Sequence, residues 1–410
     1  MRTVSGASAR AAAGSQRSSS EVRVIGSRSL SSASKLTRLG PWALAAAGVA
    51  GAVAASAASP SAARAAAGQD WSPFVLVAGL LLIGLVADDD GLFAAAGGRL
   101  ARLTRHGSAL FIGVAVLTGI VTALLNLDTS VAFLTPVLIY LARSRGLGET
   151  ALLYGCLLLS NAGSLLLPGS NLTNLIVLGH LHMTGGEFLA RMWLPSVGAL
   201  AVTALVVAAF ERRSLLDGRP DAAAAPRLVP GVGLAAVCLA TVLVLTLRSP
   251  AIPVAAVGAV AAGIHLLRGR ASLRSITDVL GVPVLVGLFG LAVALGVLGR
   301  TWSGPAELLT HLDSWGTAAT AGLASVFVNN LPAASLLAAR TPDHPFALIV
   351  GLNLGPNLFV TGSLAWLLWL RAAHAAEARP SLRRASLIGA VAVPASVAVA
   401  LGALALTGHI

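Results

Sequence analysis

Four short polar segments interrupt the apolar stretches of this chain, two in each half of the sequence. Polar backbone at membrane depth is destabilising unless protein or a water-filled cavity receives the freed amides and carbonyls. A matched pair of such breaks in two halves indicates the substrate site of a secondary transporter. The candidate substrate- or ion-binding residues are Asn126, Asp128, Thr129, Ser130, Ser160, Asn161, Gly163, Ser164, Ser170, Asn171 and Thr173 in the first half, and Asn329, Asn330, Asn353, Gly355, Asn357, Thr361, Gly362 and Ser363 in the second.

Asp128 is the acid that we predict to lie near the middle of the membrane. A charge at that depth costs at least about 2.5–3.5 kcal/mol on the insertion scale, and such residues usually carry protons or bind cations. Asp128 is therefore the candidate for proton coupling. The alternative is a helix cap, in which the carboxylate accepts hydrogen bonds from the amides of Ser130 and Val131. The two roles can coexist.

The neutral side chains of the breaks offer oxygen atoms to a solute or an ion. Unwound carbonyls can coordinate a cation, and the N-termini of half-helices point positive dipole ends at electron-rich groups. The alternative is that these side chains join helices by hydrogen bonds. Because the arrangement occurs in both halves, it favours a binding site, although it does not indicate the ligand.

Two further groups of residues lie outside these segments. Asp88, Asp89 and Asp90 end an apolar run, so they are either a solvated helix end on the cytoplasmic side or a proton way-station. Trp366 and Trp369 fit the aromatic belt at a membrane interface.

The composition predicts an all-α polytopic membrane protein. Of 410 residues, 56% are hydrophobic and 11% are charged, with a mean hydropathy of +0.84, whereas soluble domains average about 25% charged residues. The net charge of +12 comes from basic residues scattered between apolar stretches, which is typical of cytoplasmic loop anchors. The expected partner is therefore the lipid bilayer and not nucleic acid.

Enzyme chemistry has little support in this sequence. The phosphate-binding motif Gly-x-x-x-x-Gly-Lys-Ser/Thr is missing, so the chain itself does not hydrolyse ATP. Cys156 and Cys238 lie in apolar segments away from the breaks, which favours neither a disulfide framework nor a metal site. We expect a transporter without a cofactor, coupled to a proton or to sodium.

The apolar stretches predict about nine spanning helices, since a span needs about 20 residues. Stretches 150–181 and 345–370 contain the second break of each half and are predicted to be discontinuous helices. Stretches 107–142 and 315–340 contain the first breaks and are predicted to be re-entrant hairpins with their tips at the breaks. The alternative for 107–142 is a pair of full spans, which would return the chain to the same side of the membrane. The remaining candidate spans are 42–59, 73–98, 192–210, 230–247, 251–267, 279–299 and 386–408.

The basic residues predict the orientation. With the N-terminus in the cytoplasm, 23 of the 28 Lys and Arg residues fall in cytoplasmic segments, as the positive-inside rule requires. The two hairpins then enter from opposite sides, so the halves are inverted repeats. The N-terminal tail is interpreted as disordered, with a transit peptide or a start codon placed too early as alternatives. The predicted organisation is a basic tail over 1–40, a first repeat over 41–210, a cytoplasmic linker over 211–229 and a second, inverted repeat over 230–410.

At these motifs the chain resembles the arsenite/antimonite efflux permeases, the membrane subunit of bacterial arsenical pumps, within the wider ion transporter superfamily. The resemblance covers roughly residues 73–408, and its motifs are Asn126–Leu138, Ser160–Val177, Val328–Leu337 and Gly351–Trp369. It implies outward transport of trivalent arsenic or antimony across the plasma membrane, driven by the proton gradient. It further implies a soluble ATPase subunit as a partner, and members of such folds often form homodimers.

Departures from the family pattern affect the expected coupling ion. Some members carry aspartate at the positions of Asn161 and Asn353 and lysine near Asn357, whereas all three residues are asparagine here. Trivalent arsenic at neutral pH is an uncharged trihydroxide, which suits a ring of Asn, Ser and Thr. The layout is also similar to that of sodium/proton antiporters and dicarboxylate/sodium symporters. The alternative functions are therefore sodium-coupled anion transport and sodium/proton antiport.

Overall fold

The computed structural model describes residues 40–104, 106–179, 181, 183–216 and 231–409. The predicted tail lies outside these residues except for Gly40, and the predicted linker lies outside them from Asp217 onward. All regular structure in the described part is helical, as the composition predicts.

The described helices are named here in chain order. They are α1 (Gly40–Ala58), α2 (Pro60–Asp89), α3 (Leu92–Leu103), α4 (Gly107–Leu125), α5 (Leu127–Ser144), α6 (Thr150–Gly163), α7 (Leu172–Leu178), α8 (Gly185–Phe210), α9 (Arg212–Leu216), α10 (Val232–Thr246), α11 (Ala251–Leu267), α12 (Leu273–Leu280), α13 (Val282–Thr301), α14 (Gly304–Thr310), α15 (Ser314–Val328), α16 (Asn330–Leu337), α17 (Pro345–Leu354), α18 (Leu364–Ala375) and α19 (Leu382–Leu406). Two 3₁₀ turns, Pro168–Ser170 and Gly355–Leu358, precede α7 and α18.

The predicted span 73–98 is wrong at both ends. Helix α2 begins at Pro60, because proline suits a first helical position and the alanines that follow are strong helix formers. It continues through Pro73 to Asp89. The chain then turns at Gly91, whose φ of 74° favours glycine, and starts α3. As a consequence, Gln69 and Asp70 lie within a membrane-length helix and not in a loop.

Both predicted hairpins are present as helix pairs, and each turns at an asparagine, whereas their re-entrant placement in the membrane stays a prediction. Asn126 has a φ of 132° and accepts a hydrogen bond from the Thr129 amide at 2.7 Å. Asn329 has a φ of 75° and accepts one from the Leu331 amide at 3.3 Å. Each asparagine therefore ends one helix and caps the next. The two ends of the first hairpin lie close together. Arg145, just after α5, donates hydrogen bonds to the carbonyls of Ala101 and Thr104, which precede α4.

Both discontinuous helices are also confirmed, but the interfacial interpretation of the tryptophans is wrong. Trp366 and Trp369 are fully buried. The indole of Trp366 donates to the Pro356 carbonyl in the unwound turn at 2.8 Å, and that of Trp369 donates to the Leu153 carbonyl of α6 at 2.9 Å. Buried indole N–H groups need such acceptors, and the break supplies the first of them.

The helices form two groups. In the first, which we term the scaffold helices, α2 packs against α10, α11 and α13, and α1 lies on α13, where a Cβ on Gly48 would overlap the Gly287 backbone. Helices α2 and α11 meet at Gly79, where a Cβ would lie 2.6 Å from the Ala255 Cα, so small residues allow close packing. In the second group, α8 packs on α19, α5 on α18 and α15 on α17.

The acids after the apolar run of α2 tie scaffold helices together. The Asp90 carboxylate forms an ion pair with Arg270 at 2.8 Å and accepts a hydrogen bond from the Gly233 amide, also at 2.8 Å. His265 of α11 lies 3.4 Å from the same carboxylate. Asp90 is therefore a structural tie between α2, α10 and α11 and not a freely solvated helix end.

Six helical stretches of the described part combine the length and hydropathy of a membrane span: α1, α2, α4, α8, α12 with α13, and α19. Helices α6, α10, α11 and α17 with its 3₁₀ turn are apolar but shorter. The chain is thus a multi-pass membrane protein, and the total of about nine spans stays a prediction.

Candidate functional site

The tip of the first hairpin presents one acid, Asp128. Asn126 already caps α5, so the capping alternative for Asp128 is not what the structure shows. No hydrogen bond or ion pair joins the Asp128 carboxylate to another residue of the described part. Asp128 instead borders two neighbouring spaces, a cavity and a small chamber.

The cavity has a volume of about 590 Å³, and half of its lining residues are leucines. Helices α1, α2, α7, α12, α13 and α18 form its wall. Asp128 lies at its inner end, and the exposed residues Asp278, Arg371 and His374 line its outer end. With the N-terminus in the cytoplasm, the basic segment 371–384 is one of the predicted cytoplasmic segments. Because Arg371 begins this segment, the outer end of the cavity is the predicted cytoplasmic entrance.

The chamber lies where all four polar breaks meet. It is lined by residues of both hairpin tips and by the first residues of α7 and α18, and it shares Asp128, Leu172, Leu288 and Leu364 with the cavity. Its volume of about 20 Å³ is room for roughly one water molecule. The predicted site residues that the structure brings together here are Asp128, Asn171, Asn329, Asn330 and Ser363.

The chamber wall is neutral except for Asp128. Its other polar groups are amides and one hydroxyl, and no Arg, Lys or His of the described part lines it. Such a wall can hydrogen-bond an uncharged polyhydroxy solute, and its carboxylate can bind a proton or a cation. It offers no cationic partner to a carboxylate ligand.

Asn353 lies outside the chamber and is the centre of a second set of hydrogen-bonded site residues, to which Asn171 of the chamber wall also belongs. Its Oδ1 accepts hydrogen bonds from Ser164 at 2.8 Å, from Thr173 at 3.5 Å and from Asn171. Its Nδ2 donates to Asn174 Oδ1 at 2.6 Å. The side chain is fully buried, so it joins the two discontinuous helices at their breaks.

A second, smaller link joins the same helices. Asn161 Nδ2 donates to Asn357 Oδ1 at 2.9 Å, and Asn357 Nδ2 donates to the Leu158 carbonyl at 3.1 Å. Ser130 and Ser160 lie 3.2 Å apart and connect the first hairpin to α6. For these residues the structure shows the helix-joining role that was the alternative to ligand binding.

The remaining predicted site residues fix the second tip and the breaks. The backbone N–H of Asn330 donates to the Gly362 carbonyl at 2.8 Å, and the Thr361 hydroxyl donates to the Val326 carbonyl at 2.5 Å. Ser170 donates to the Ser164 carbonyl at 2.6 Å within the first break. Thr129 is fully buried, and Gly163 and Gly355 pack against the hairpin arms.

Asp70 is a buried acid that the sequence interpretation missed. It is only 1% exposed, and Ser335 of the second hairpin donates to its Oδ2 at 3.1 Å. The signal was available: Pro60 and the alanines after it indicate a helix that begins well before Pro73 and carries Asp70 into the membrane.

Comparisons with known proteins identify the class of protein as a membrane transporter. Residues 35–351 match the model of the citrate transporter family CitMHS, and the chain belongs to this family. The fold is that of the YdaH transporter of Alcanivorax borkumensis, with a TM-score of 0.52 at 15% sequence identity over 84% of this chain and 86% of that one.

Relatives of known name include arsenical pump membrane proteins. That of Escherichia coli K12 is 26% identical over 337 residues, which is 73% of this chain and 78% of the relative. That of Yersinia enterocolitica is 25% identical over 341 residues, with the same two shares. The inner membrane protein YbiR of Escherichia coli K12 is 28% identical over 319 residues, 74% of this chain and 80% of the relative. The resemblance stated from the motifs is thereby confirmed.

Proposed function

We propose that this chain is a secondary-active exporter of trivalent arsenic or antimony, carried as the neutral trihydroxide and coupled to proton entry. The observation that carries this proposal is the chamber wall, which combines Asn171, Asn329, Asn330 and Ser363 with a single carboxylate. Amides and hydroxyls match the donors and acceptors of a trihydroxide. The names of the arsenical pump relatives support the same cargo.

The geometry supports an alternating-access cycle. The large cavity reaches Asp128 from the predicted cytoplasmic side, whereas the chamber beyond it has room for about one water molecule. A trihydroxide would enter by the cavity and be bound as the hairpin tips separate. Movement of the hairpins against the scaffold helices would then expose it to the other side.

Asp128 is the proposed coupling residue. Since no residue of the described part pairs with its carboxylate, the charge is compensated by the dipole at the N-terminus of α5 and by a proton, a cation or water in the cavity. A proton that enters from outside would bind there after the solute leaves, and it would be released into the cytoplasm before the next solute binds. A soluble ATPase subunit or a second copy of the chain would act on this same permease.

Citrate is a less suitable cargo, although the family carries its name. A tricarboxylate needs cationic or strongly polarised partners, and none of the described basic residues lines the chamber, which leaves only helix N-termini to polarise such a ligand. Sodium-coupled transport of another ion is the second candidate, because a carboxylate beside amide oxygens can also bind sodium.

The test is arsenite accumulation in arsenic-sensitive cells that express the chain. We expect lower accumulation in these cells than in cells without the protein, and we expect Asp128→Asn or a proton uncoupler to abolish the difference. Asp313→Asn is the matched control, because this exposed acid caps α15 away from the cavity and asparagine caps equally well. Unchanged accumulation, with the protein confirmed in the membrane, would refute arsenite export and lead to sodium-dependence assays.

A further inference from the structure

A buried carboxyl joins the second hairpin to the scaffold helices. Asp70 lies ten residues into α2, which is about 15 Å along the helix at 1.5 Å per residue. Its Oδ2 accepts the hydroxyl hydrogen bond of Ser335 in α16 at 3.1 Å. Its Oδ1 is buried and has no hydrogen-bond partner in the described part of the chain. Asp70 is thus a buried acid with one of its two oxygens unpaired among the described residues, at the interface between the scaffold helix α2 and the second hairpin.

The neighbouring Gln69 extends this contact. Gln69 Nε2 donates to the carbonyls of Ile176 in α7 and Ala338 at the end of α16, each at 3.1 Å. Its Oε1 accepts a hydrogen bond from Arg300 of α13. Gln69 and Asp70 therefore hold α16 against α2 and α13, at the end of the hairpin remote from its tip.

Arg300 is the charged group that acts on Asp70. It attracts the carboxylate electrostatically, but it lies beyond ion-pair distance. Its guanidinium donates hydrogen bonds to Gln69 Oε1 and to the Gly296 carbonyl instead. Helices α1, α7 and α16, which surround this region, carry no charged residue. Arg64 on α2 and Glu307 on α14 are exposed. A buried carboxylate without a paired cation is energetically unfavourable, and within a membrane such groups are usually functional.

Ser335 has an alternative acceptor. Its hydroxyl lies 3.4 Å from the Leu331 carbonyl, one turn back in α16. If the Asp70 carboxyl binds a proton, it becomes a much weaker acceptor, and the Ser335 hydroxyl can turn to its own helix. The charge-assisted hydrogen bond between α2 and α16 is then lost without leaving the hydroxyl unpaired, and only a weaker neutral hydrogen bond, from the carboxyl O–H to the Ser335 oxygen, can take its place.

We propose that Asp70 is a second proton-binding carboxyl of the transport cycle, which holds the second hairpin against α2 while ionised and releases it when protonated. The inference rests on the proposed function and adds to it a gate on the side opposite the cavity. One proton from outside forms an O–H bond at Asp70, the hairpin opens and the solute leaves. The same proton dissociates back to the outside when the hairpin has returned, so the proton that crosses the membrane is the one bound by Asp128.

The first experiment compares driven transport with exchange in proteoliposomes. Asp70→Asn mimics the protonated state, so arsenite accumulation driven by a proton gradient should fall at least about tenfold, while arsenite exchange without a gradient stays within about threefold of wild type. Asp70→Glu should restore part of the driven transport, and the control Asp313→Asn should change neither activity. The proposal would be overturned if Asp70→Asn accumulated arsenite at the wild-type rate under a proton gradient. It would also be overturned if gradient-driven accumulation and exchange fell by the same factor.

The second experiment needs no substrate, so it separates failure of this gate from failure of arsenite export. Spin labels on Arg64→Cys and Thr341→Cys, in a Cys156→Ala, Cys238→Ser background, report the distance between α2 and the segment after α16. In the wild-type background, lowering the pH from about 8 to about 5 should add a longer-distance population. With Asp70→Asn that population should be present at both pH values. An unchanged distance distribution in the wild-type background would overturn the gate even if arsenite is transported.

Discussion

The two halves of the molecule repeat one backbone arrangement around the chamber. Gly119 lies seven residues before the tip asparagine Asn126, and Gly322 lies seven before Asn329. Each of these glycines faces the glycine that ends a discontinuous helix, Gly163 in the first half and Gly355 in the second. Each of those follows a buried asparagine by two positions. The frame of the site is therefore built twice.

The chemistry on that frame is not built twice. The first tip carries Asp128, whereas the second tip has the neutral Asn330 facing the same chamber. Conversely, the second half supplies Asn353, which joins more partners than its counterpart Asn161. The fold therefore duplicates backbone geometry, while the charge lies in one half and most of the asparagine hydrogen bonds are made by the other. A site of this kind can bind a proton on one side and hold a neutral solute between both.

The largest effect should come from removing the cross-link of the second half. Asn353→Ala leaves several buried donors and one acceptor without partners, and each such group costs about 1–3 kcal/mol. We expect the free energy of unfolding to fall by about 3–5 kcal/mol, against about 1–2 kcal/mol for Asn161→Ala, which loses fewer hydrogen bonds. Thermal unfolding of the purified proteins measures both. Equal shifts in the unfolding midpoints of the two variants would show that Asn161 and Asn353 stabilise the protein to the same extent.

The contact between Gly355 and Gly322 in the second half should also be more sensitive to substitution than the contact between Gly163 and Gly119 in the first half. A Cβ on Gly355 would lie 2.5 Å from the Gly322 Cα, whereas one on Gly163 would lie 3.1 Å from the Gly119 Cα. Overpacking against backbone costs about 1–3 kcal/mol, so Gly355→Ala should destabilise by this amount and Gly163→Ala by less than about 1 kcal/mol. Gly402→Ala, which adds a methyl group to open space in α19, is the control. If Gly355→Ala unfolds at the same temperature as Gly402→Ala, the close contact between Gly355 and Gly322 does not limit the size of the residue there.

The breaks could be predicted from the sequence because asparagine, glycine and proline in apolar stretches leave few alternatives at membrane depth. Which asparagines line the chamber and which join helices could not be predicted from the sequence. Asn161 meets Asn357 across 196 residues, and Asn171 meets Asn353 across 182. Whether a side chain faces the chamber or another asparagine depends on how distant helices dock, which local spacing does not encode. Asp70 depends in the same way on Ser335, 265 residues later.

The position of the charge can be tested by moving it across the chamber. Asp128→Asn should abolish gradient-driven arsenite uptake into inside-out vesicles. Adding Asn330→Asp to that variant returns a carboxylate to the same chamber from the opposite tip. We expect recovery by about tenfold, equivalent to about 1.4 kcal/mol of the barrier.

The control for this transfer is Asp128→Asn with Asn357→Asp. Asn357 is buried outside the chamber wall and paired with Asn161, so its carboxylate should restore nothing. Recovery with Asn357→Asp, or its absence in a folded Asn330→Asp variant, would show that the chamber does not position the coupling charge.

The smallest effect concerns the charged entrance compared with the neutral chamber. Arg371 is exposed at the outer end of the cavity, where it can attract anions over about 8–10 Å at physiological salt. A neutral trihydroxide feels no such attraction, so Arg371→Gln should change the initial rate of arsenite transport by less than about twofold. Arg64→Gln, an exposed site on α2 outside the cavity lining, serves as the control. An anionic cargo would behave differently, with a larger loss of rate at low ionic strength than at high ionic strength, and that result would favour the anion-transport alternative over a neutral cargo.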